Sequence, residues 1–298
     1  MADVASAHSK PAVFVNGQIV GAGDAQLSIY DRGLLYGFGF FETFRTSGGR
    51  PHHWSFNHAR LMAACEKATL ALPPTFLVRD AERLSAVVGE LLRGVGWDDA
   101  VFRYTVTAGI DDRPSEILTM RPLPNPPAAD GIRLRVLNLR RDNGEWLPRP
   151  KSLSYLNTML GARELLARNA SLSDEGVFLS RAGEFVVETV RQNIAWVVDD
   201  RIHIPDAAVG AVAGTCLAWL RTRGLAVESV RASLGELLQA DAIFVLNSVR
   251  GITPVAEVWD AADAARLGVY NSASHPLVVA LQRDWREALA QSAQPASP

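Results

Sequence analysis

The chain has 298 residues, 48% hydrophobic and 21% charged, with 30 basic and 32 acidic side chains and a formal net charge of −2. That is a soluble globular composition with material for one large or two small domains, and its charge balance leaves no electrostatic footprint for nucleic acid or an anionic membrane. Lysine occurs only at Lys10, Lys67 and Lys151, leaving 27 of the 30 basic residues as arginine, so chemistry that needs a side-chain amine has three candidates.

Residues 1–11 and 290–298, rich in Ala, Ser and Pro, read as frayed termini. The start lacks the charged and apolar regions of a secretory signal, and no apolar run approaches the roughly 18–20 residues of a spanning helix. From Ala12, AVFVNGQIV predicts a hairpin turning at Asn16-Gly17. Helical spacing of Leu61, Ala64, Cys65, Ala68 and Leu72 predicts a helix over Asn57–Leu72. Asp80 is a plausible N-cap for a second helix running to Leu92, with Leu84, Val87, Val88 and Leu91 on one face. VFRYTVTAG then reads as a strand. Prolines at Pro122, Pro124, Pro126 and Pro127 place a boundary near Arg121–Asp130, giving an N-terminal α/β domain over 12–125 and a C-terminal mixed α/β domain over 126–290.

In the second half IRLRVLNLRR reads as a strand, and LNTMLGARELLARN as a helix with apolar Leu156, Met159, Leu160 and Leu165. Two hairpins follow, turning at Ala182-Gly183 and Asp199-Asp200, then a short helix CLAWLRTRG stopped by Gly224. AIFVLNSV is a buried strand, and a helix over about Pro276–Ala290 closes the chain. Helices and strands mix without regular βαβα alternation, which predicts an α+β architecture.

Several motifs lead nowhere. Gly37-Phe38-Gly39 begins like a dinucleotide fingerprint but lacks the third glycine and a surrounding βαβ unit. His52, His53 and His58 have no ligand spacing with other donors, so they read as packing or surface histidines and no metal is expected. The sequon Asn169-Ala170-Ser171 has no meaning without secretion. Cys65 and Cys216 form no C-x-x-C pair and read as small core residues, so a cytoplasmic protein is the simplest expectation.

A lone lysine is usually a solvated surface residue, but Lys151 does not stand alone. PKSLSYLNTMLGARELLARN and DEGVFLSRAGEFVVETVRQNIAWVVDDRIHIP resemble the second half of a class IV (fold-type IV) pyridoxal-phosphate enzyme, with Gly183, Val186, Glu188 and Asn193 on its hairpin motif and one extra residue between the glycine and the valine. LSIYDRGLLYGFGFFETFR, HHWSFNHARL and LLQADAIFVLNSVRGITPV resemble the family's remaining motifs, in order, from about Val13 to Gln282. The resemblance implies a two-domain fold-type IV protein like the D-amino-acid and branched-chain aminotransferases. It also implies pyridoxal 5′-phosphate as cofactor, a small-molecule substrate and a homodimer.

The residue types suit such a cofactor. An aldehyde needs a deprotonated amine to form a Schiff base, and lysine's reference pKa is about 10.4; the resemblance assigns this amine to Lys151. Lys10 lies in a frayed tail, and Lys67 sits on the helix of Arg60, two turns away. A carboxylate must keep the ring nitrogen protonated, and Glu188, on an otherwise apolar strand, is the candidate. For the phosphate the resemblance offers the guanidinium of Arg60, the backbone N–H groups of Thr215 and Cys216 at a helix start, and the Ser248 hydroxyl. It gives Tyr155 the hydrogen bond to the ring oxygen. Tyr36, Phe41 and Arg103 are substrate candidates, because matching strands face the cofactor in the family. Departures from the pattern are Gly214-Thr215-Cys216-Leu217 in place of G-I-T-R, Ala240-Asp241-Ala242 in place of A-D-E, and a shortened TAGIDDRPSE loop.

Residues 246–255, LNSVRGITPV, resemble the 4-amino-4-deoxychorismate lyase version of the motif, with Asn247-Ser248 where many aminotransferases carry Ser-Gly-Thr or Thr-Ser. The implied reaction is proton removal by Lys151 followed by departure of pyruvate from 4-aminobenzoate. A class IV aminotransferase acting on branched-chain or D-amino acids, or on amines, is the alternative, and the departures leave room for an inactive relative serving as an interaction module.

Overall fold

A computed structural model describes residues 11–141, 149–168 and 174–293 of the chain. The first sheet has six strands. β1 (Val13–Val15) and β2 (Gln18–Val20) form the expected hairpin, with Asn16 (φ 46°) and Gly17 (φ 94°) both left-handed. The short helix α1 (Arg32–Tyr36) is capped by the Asp31 carboxylate on the Gly33 N–H. Gly37 ends it in the left-handed region at φ 67°, where a side chain would be strained and would press on Ser154. β3 (Gly39–Ser47) and β4 (Arg50–Pro51) follow.

Helix α2 (Trp54–Lys67) starts and stops earlier than its spacing predicts. Thr69 turns left-handed at φ 53°, and Leu70 donates back to the Cys65 carbonyl, so Leu70 and Leu72 reach the core from a loop. Helix α3 (Ala81–Val95) has Asp80 as its N-cap, and its buried Leu84, Val88, Leu91 and Leu92 pack with α2 against the sheet. β5 (Val101–Ile110) and β6 (Arg113–Arg121) complete the order β2-β1-β6-β5-β3-β4.

The second sheet opens with β7 (Ile132–Val136) and, after helix α4 (Leu156–Ala167), runs through β8 (Glu175–Leu179), β9 (Val186–Thr189), β10 (Asn193–Val198) and β11 (Arg201–Pro205). Helix α5 (Thr215–Arg221), β12 (Val227–Val230), helix α6 (Leu234–Leu237), β13 (Ala242–Asn247), β14 (Gly251–Trp259), β15 (Arg266–Val269) and helix α7 (Pro276–Ala293) finish the chain. Strand order is β12-β11-β10-β13-β14-β7-β8-β9, with β15 beside β14. The β11·β12, β14·β7 and β7·β8 pairs are parallel and the rest antiparallel. β10 and β13 are covered on both faces, which is why they read as continuous apolar runs. This is the α+β architecture expected from the sequence.

One feature is new and one expectation fails. Of the apolar residues on α4, only Leu165 is buried, whereas Leu156, Met159 and Leu160 are exposed, so that stripe does not face this chain's own core. Tyr36 lies on α1, not on a strand, because the Asp31 cap and Gly37 stop enclose it in a helical turn. The sequon and residues 1–10 and 294–298 of the expected frayed ends fall outside the described residues, while residues 290–293 are not frayed but continue the closing helix, which runs to Ala293.

Helix α7 belongs to both sheets. Its Trp285 packs into the second core and meets His52 edge to face at 4.9 Å, while Ser47 and His52 of the first half bond to Leu289 and Ser292. His52 and His53 stack at 3.8 Å in this seam. Among the described residues no three His, Cys, Asp or Glu side chains cluster as metal ligands, and no helix is long and apolar enough to cross a membrane.

Candidate active site

A cavity of about 470 Å³ lies between the sheets, within the size range of small-molecule sites. Lys151 enters it by backbone pairing. β4 covers only the end of β3, at Thr46 and Ser47, and the residues around Lys151 lie along the edge left free. Phe41 donates its N–H to the Lys151 carbonyl and Leu153 donates to the Gly39 carbonyl, each at 2.9 Å, around an antiparallel bridge of Phe40 and Ser152. The Lys151 Nζ lies 4.6 Å from the Phe41 ring centroid and 5.4 Å from that of Tyr155. Among the described residues it has no carboxylate within ion-pair distance.

Those two rings meet edge to face at 5.2 Å, and the Arg103 guanidinium lies 3.5 Å from the Phe41 centroid. Burial holds Arg103 below its ordinary pKa, and Tyr155 opposes this. Phe41, Arg103, Lys151 and Tyr155 thus form one group in the cavity wall. Tyr36, the third substrate candidate, is not among the lining residues and is 74% exposed on the outside of α1.

Glu188 projects from β9 into the same cavity. Its Oε1 is 3.0 Å from Arg141 Nη2 and 3.8 Å from Arg149 Nη1, and its Oε2 accepts the Val212 N–H at 2.9 Å. Arg141 is buried over the Phe178 ring and donates to Asn157 Oδ1 and Thr158 Oγ1. Burial pushes Arg141 down to about 10, against the pull of Glu188, so it keeps its charge at neutral pH.

Arg60 is held as a fork. Its Nε donates to Glu42 Oε1 at 2.8 Å, Nη2 pairs with Glu42 Oε2, and Nη1 donates to the Ala213 carbonyl at 2.7 Å. Asn57 adds a bond to Glu42 Oε2 at 2.7 Å. A guanidinium has five N–H groups, so two remain for a ligand.

Thr215 lines the cavity, and its N–H is among those left unpaired at the start of α5. A Cβ on Gly214 before it would collide with the Asn193 side chain, which is held by its bond to the Val212 carbonyl. Cys216 sends its side chain into the core, leaving only its backbone N–H to act, and burial raises its thiol pKa. Ser248 lines the cavity, and its hydroxyl donates to the Thr43 carbonyl at 2.6 Å. Among residues unmarked in advance, Glu42 left a signal: a glutamate on the apolar run FFETF must find a charged partner if buried. Arg141 left none.

The family model described as amino-transferase class IV matches residues 39–258. An aminodeoxychorismate lyase of Bacillus subtilis is 30% identical over 88% of this chain and 91% of its own length. A Methanocaldococcus jannaschii protein bearing the name branched-chain-amino-acid aminotransferase is 30% identical over 83% of this chain and 87% of its own. The crystal structure of 4-amino-4-deoxychorismate lyase from Pseudomonas aeruginosa superposes with a TM-score of 0.75 and 29% identity, covering 92% of this chain and 98% of that one.

Proposed function

Because the chain belongs to the class IV aminotransferase family, whose cofactor is pyridoxal 5′-phosphate, we propose that it is a lyase converting 4-amino-4-deoxychorismate into 4-aminobenzoate, a building unit of folate, and pyruvate. The observation that carries the choice of lyase is the Asn247-Ser248-Val249 turn in the cavity wall. Its Asn247 Oδ1 accepts the N–H groups of Val249 and Arg250 at 3.0 and 2.8 Å. The sequence has this pair where aminotransferases more often carry Ser-Gly-Thr or Thr-Ser.

The donor set suits the cofactor: an amine at Lys151, a carboxylate at Glu188 anchored by a buried arginine, and cationic and N–H donors at Arg60 and the start of α5. Arg60, with the N–H groups of Thr215 and Cys216, would hold the phosphate. Glu188 would face the ring nitrogen and favour its protonated form, and Tyr155 would bond the ring oxygen. When bound, the cofactor withdraws electrons from the carbon carrying the substrate amine and so loosens its proton. Lys151 would take that proton, the C–O bond to the enolpyruvyl group would break, and the departing three-carbon unit would gain a proton as it becomes pyruvate. Phe41 and Arg103 flank the amine where the substrate ring would lie.

We also propose a homodimer. Ile29, Tyr30, Leu34, Leu35 and Tyr36 ahead of Gly37, and Leu156, Met159 and Leu160 just past its neighbour Ser154, are all exposed, and exposed apolar groups of this kind are typical of subunit contacts. Tyr36 would then act, if at all, at the subunit boundary. A cytoplasmic location fits Cys65 and Cys216, both free and buried.

The test is pyruvate release from 4-amino-4-deoxychorismate without a keto-acid acceptor. Turnover that requires an acceptor instead would replace the lyase with a branched-chain or D-amino-acid transaminase, the reading favoured by the Methanocaldococcus jannaschii relative. In either case Lys151→Ala should abolish the visible cofactor band and turnover together.

A further inference from the structure

Besides Lys151, Glu188, Arg60 and Arg103, the cavity holds a further set of charged side chains. Arg121 at the end of β6, Arg191 between β9 and β10, and Arg250 between β13 and β14 all line it, with Glu175 beside them. Arg191 is fixed: its Nε lies 3.2 Å from Glu175 Oε2 and its Nη2 donates to the Asp174 carbonyl at 2.7 Å. Glu175 is buried and also accepts from Gln192 Nε2 at 3.2 Å. Among the described residues Arg121 and Arg250 have no carboxylate within ion-pair distance. Three guanidinium groups thus share this wall with one carboxylate, Glu175, which Arg191 already occupies, and Arg250 lies within electrostatic range of the other three groups, leaving an excess of two positive charges in this part of the wall.

Such an arrangement is unfavourable in the free protein and is relieved by an anion. Burial, Arg191 and Arg121 all push Arg250 below its ordinary pKa, and Glu175 alone opposes them. Planar guanidinium forks suit carboxylates, which they can bind through paired N–H···O bonds. None of this is needed to hold the cofactor, whose donors are Arg60, Glu188 and the start of α5.

We propose that Arg121, Arg191 and Arg250 form a carboxylate subsite that holds an anionic group of the substrate remote from its amine, making the cavity selective for dicarboxylates over amines and amino acids with apolar side chains. The inference rests on this cavity being the substrate site. It deepens that reading by naming the substrate class and the residues that select it.

The experiment measures, by calorimetry on the pyridoxal-phosphate-loaded protein, binding of benzene-1,3-dicarboxylate and of its monomethyl ester. The dianion should bind at least about tenfold more tightly, and Arg250→Gln and Arg121→Gln should each shrink that preference about tenfold, with the thermal midpoint checked to confirm folding. Equal binding of diacid and ester, or a preference unchanged in both variants, overturns the subsite. If neither lyase nor transaminase turnover is found while the arginine-dependent preference persists, the subsite stands and the assigned reaction falls. Turnover without the preference has the opposite meaning.

Discussion

Arg141 Nη2 lies 3.0 Å from Glu188 Oε1, with the arginine side chain 2% and the glutamate 6% exposed. A carboxylate so withdrawn from water needs a cation and a backbone donor to offset the cost of burial, here Arg141 and the Val212 N–H. Arg141→Met should therefore cost about 3–5 kcal/mol in urea denaturation. Combining it with Glu188→Gln should recover much of that loss, because no charge is then left buried without a partner. An Arg141→Met protein as stable as the parent would remove this account of Glu188.

Glu42 is not among the cavity-lining residues and reaches the cavity through the fork of Arg60. Glu42→Gln keeps the shape and removes the charge that fixes the fork, so pyridoxal phosphate should dissociate about tenfold more readily. In an Arg60→Gln background the same change should have little further effect, since the fork it positions is gone. Additive losses in equilibrium dialysis would show Glu42 working by another route.

Acid should loosen the seam between the halves. Burial, then His53 and Arg45, push His52 down to about 3, and burial with Arg223 pushes His53 down to about 4, from an unfolded value of 6.5. With the folded values below the unfolded one, the unfolded chain binds more protons in between. The contribution is therefore whole above pH 6.5 and is lost as pH falls from there towards about 4 and 3. Urea midpoints followed from pH 7.5 to 4.5 should drop, and His52→Gln should flatten the drop. Equal slopes in the two proteins would contradict it.

The exposed face of α4 offers a further test. Met159→Asp and Leu160→Asp place charges on the proposed subunit contact and should convert a dimer to monomers in sedimentation velocity at micromolar concentration. A parent that sediments as a monomer, or variants that remain dimeric, would reject that face.

The elements with local causes were legible in the sequence. The left-handed pair Asn16-Gly17 and the Asp80 cap depend on near neighbours, and both occur where their residue types predict. Lys151, Glu188 and Arg60 were legible as types needed by one chemistry, and the fold brings all three to one cavity. Features decided at a distance were not. Helical periodicity marks an apolar face on α4 but cannot say whether its partner belongs to the same chain. The Ser248 hydroxyl turns to the Thr43 carbonyl, 205 residues away in sequence. Arg141 carries no local mark because its role arises from Phe178, Asn157 and Glu188 meeting around it.

The pairing of Lys151 with β3 also limits how the molecule can move. The amine is stitched to the first sheet by the Phe41 N–H, while the Glu188 carboxylate belongs to the second. A motion that swung the sheets apart would carry Lys151 away with the first sheet and part it from Glu188, so the amine and the carboxylate keep their register only while the two sheets stay together.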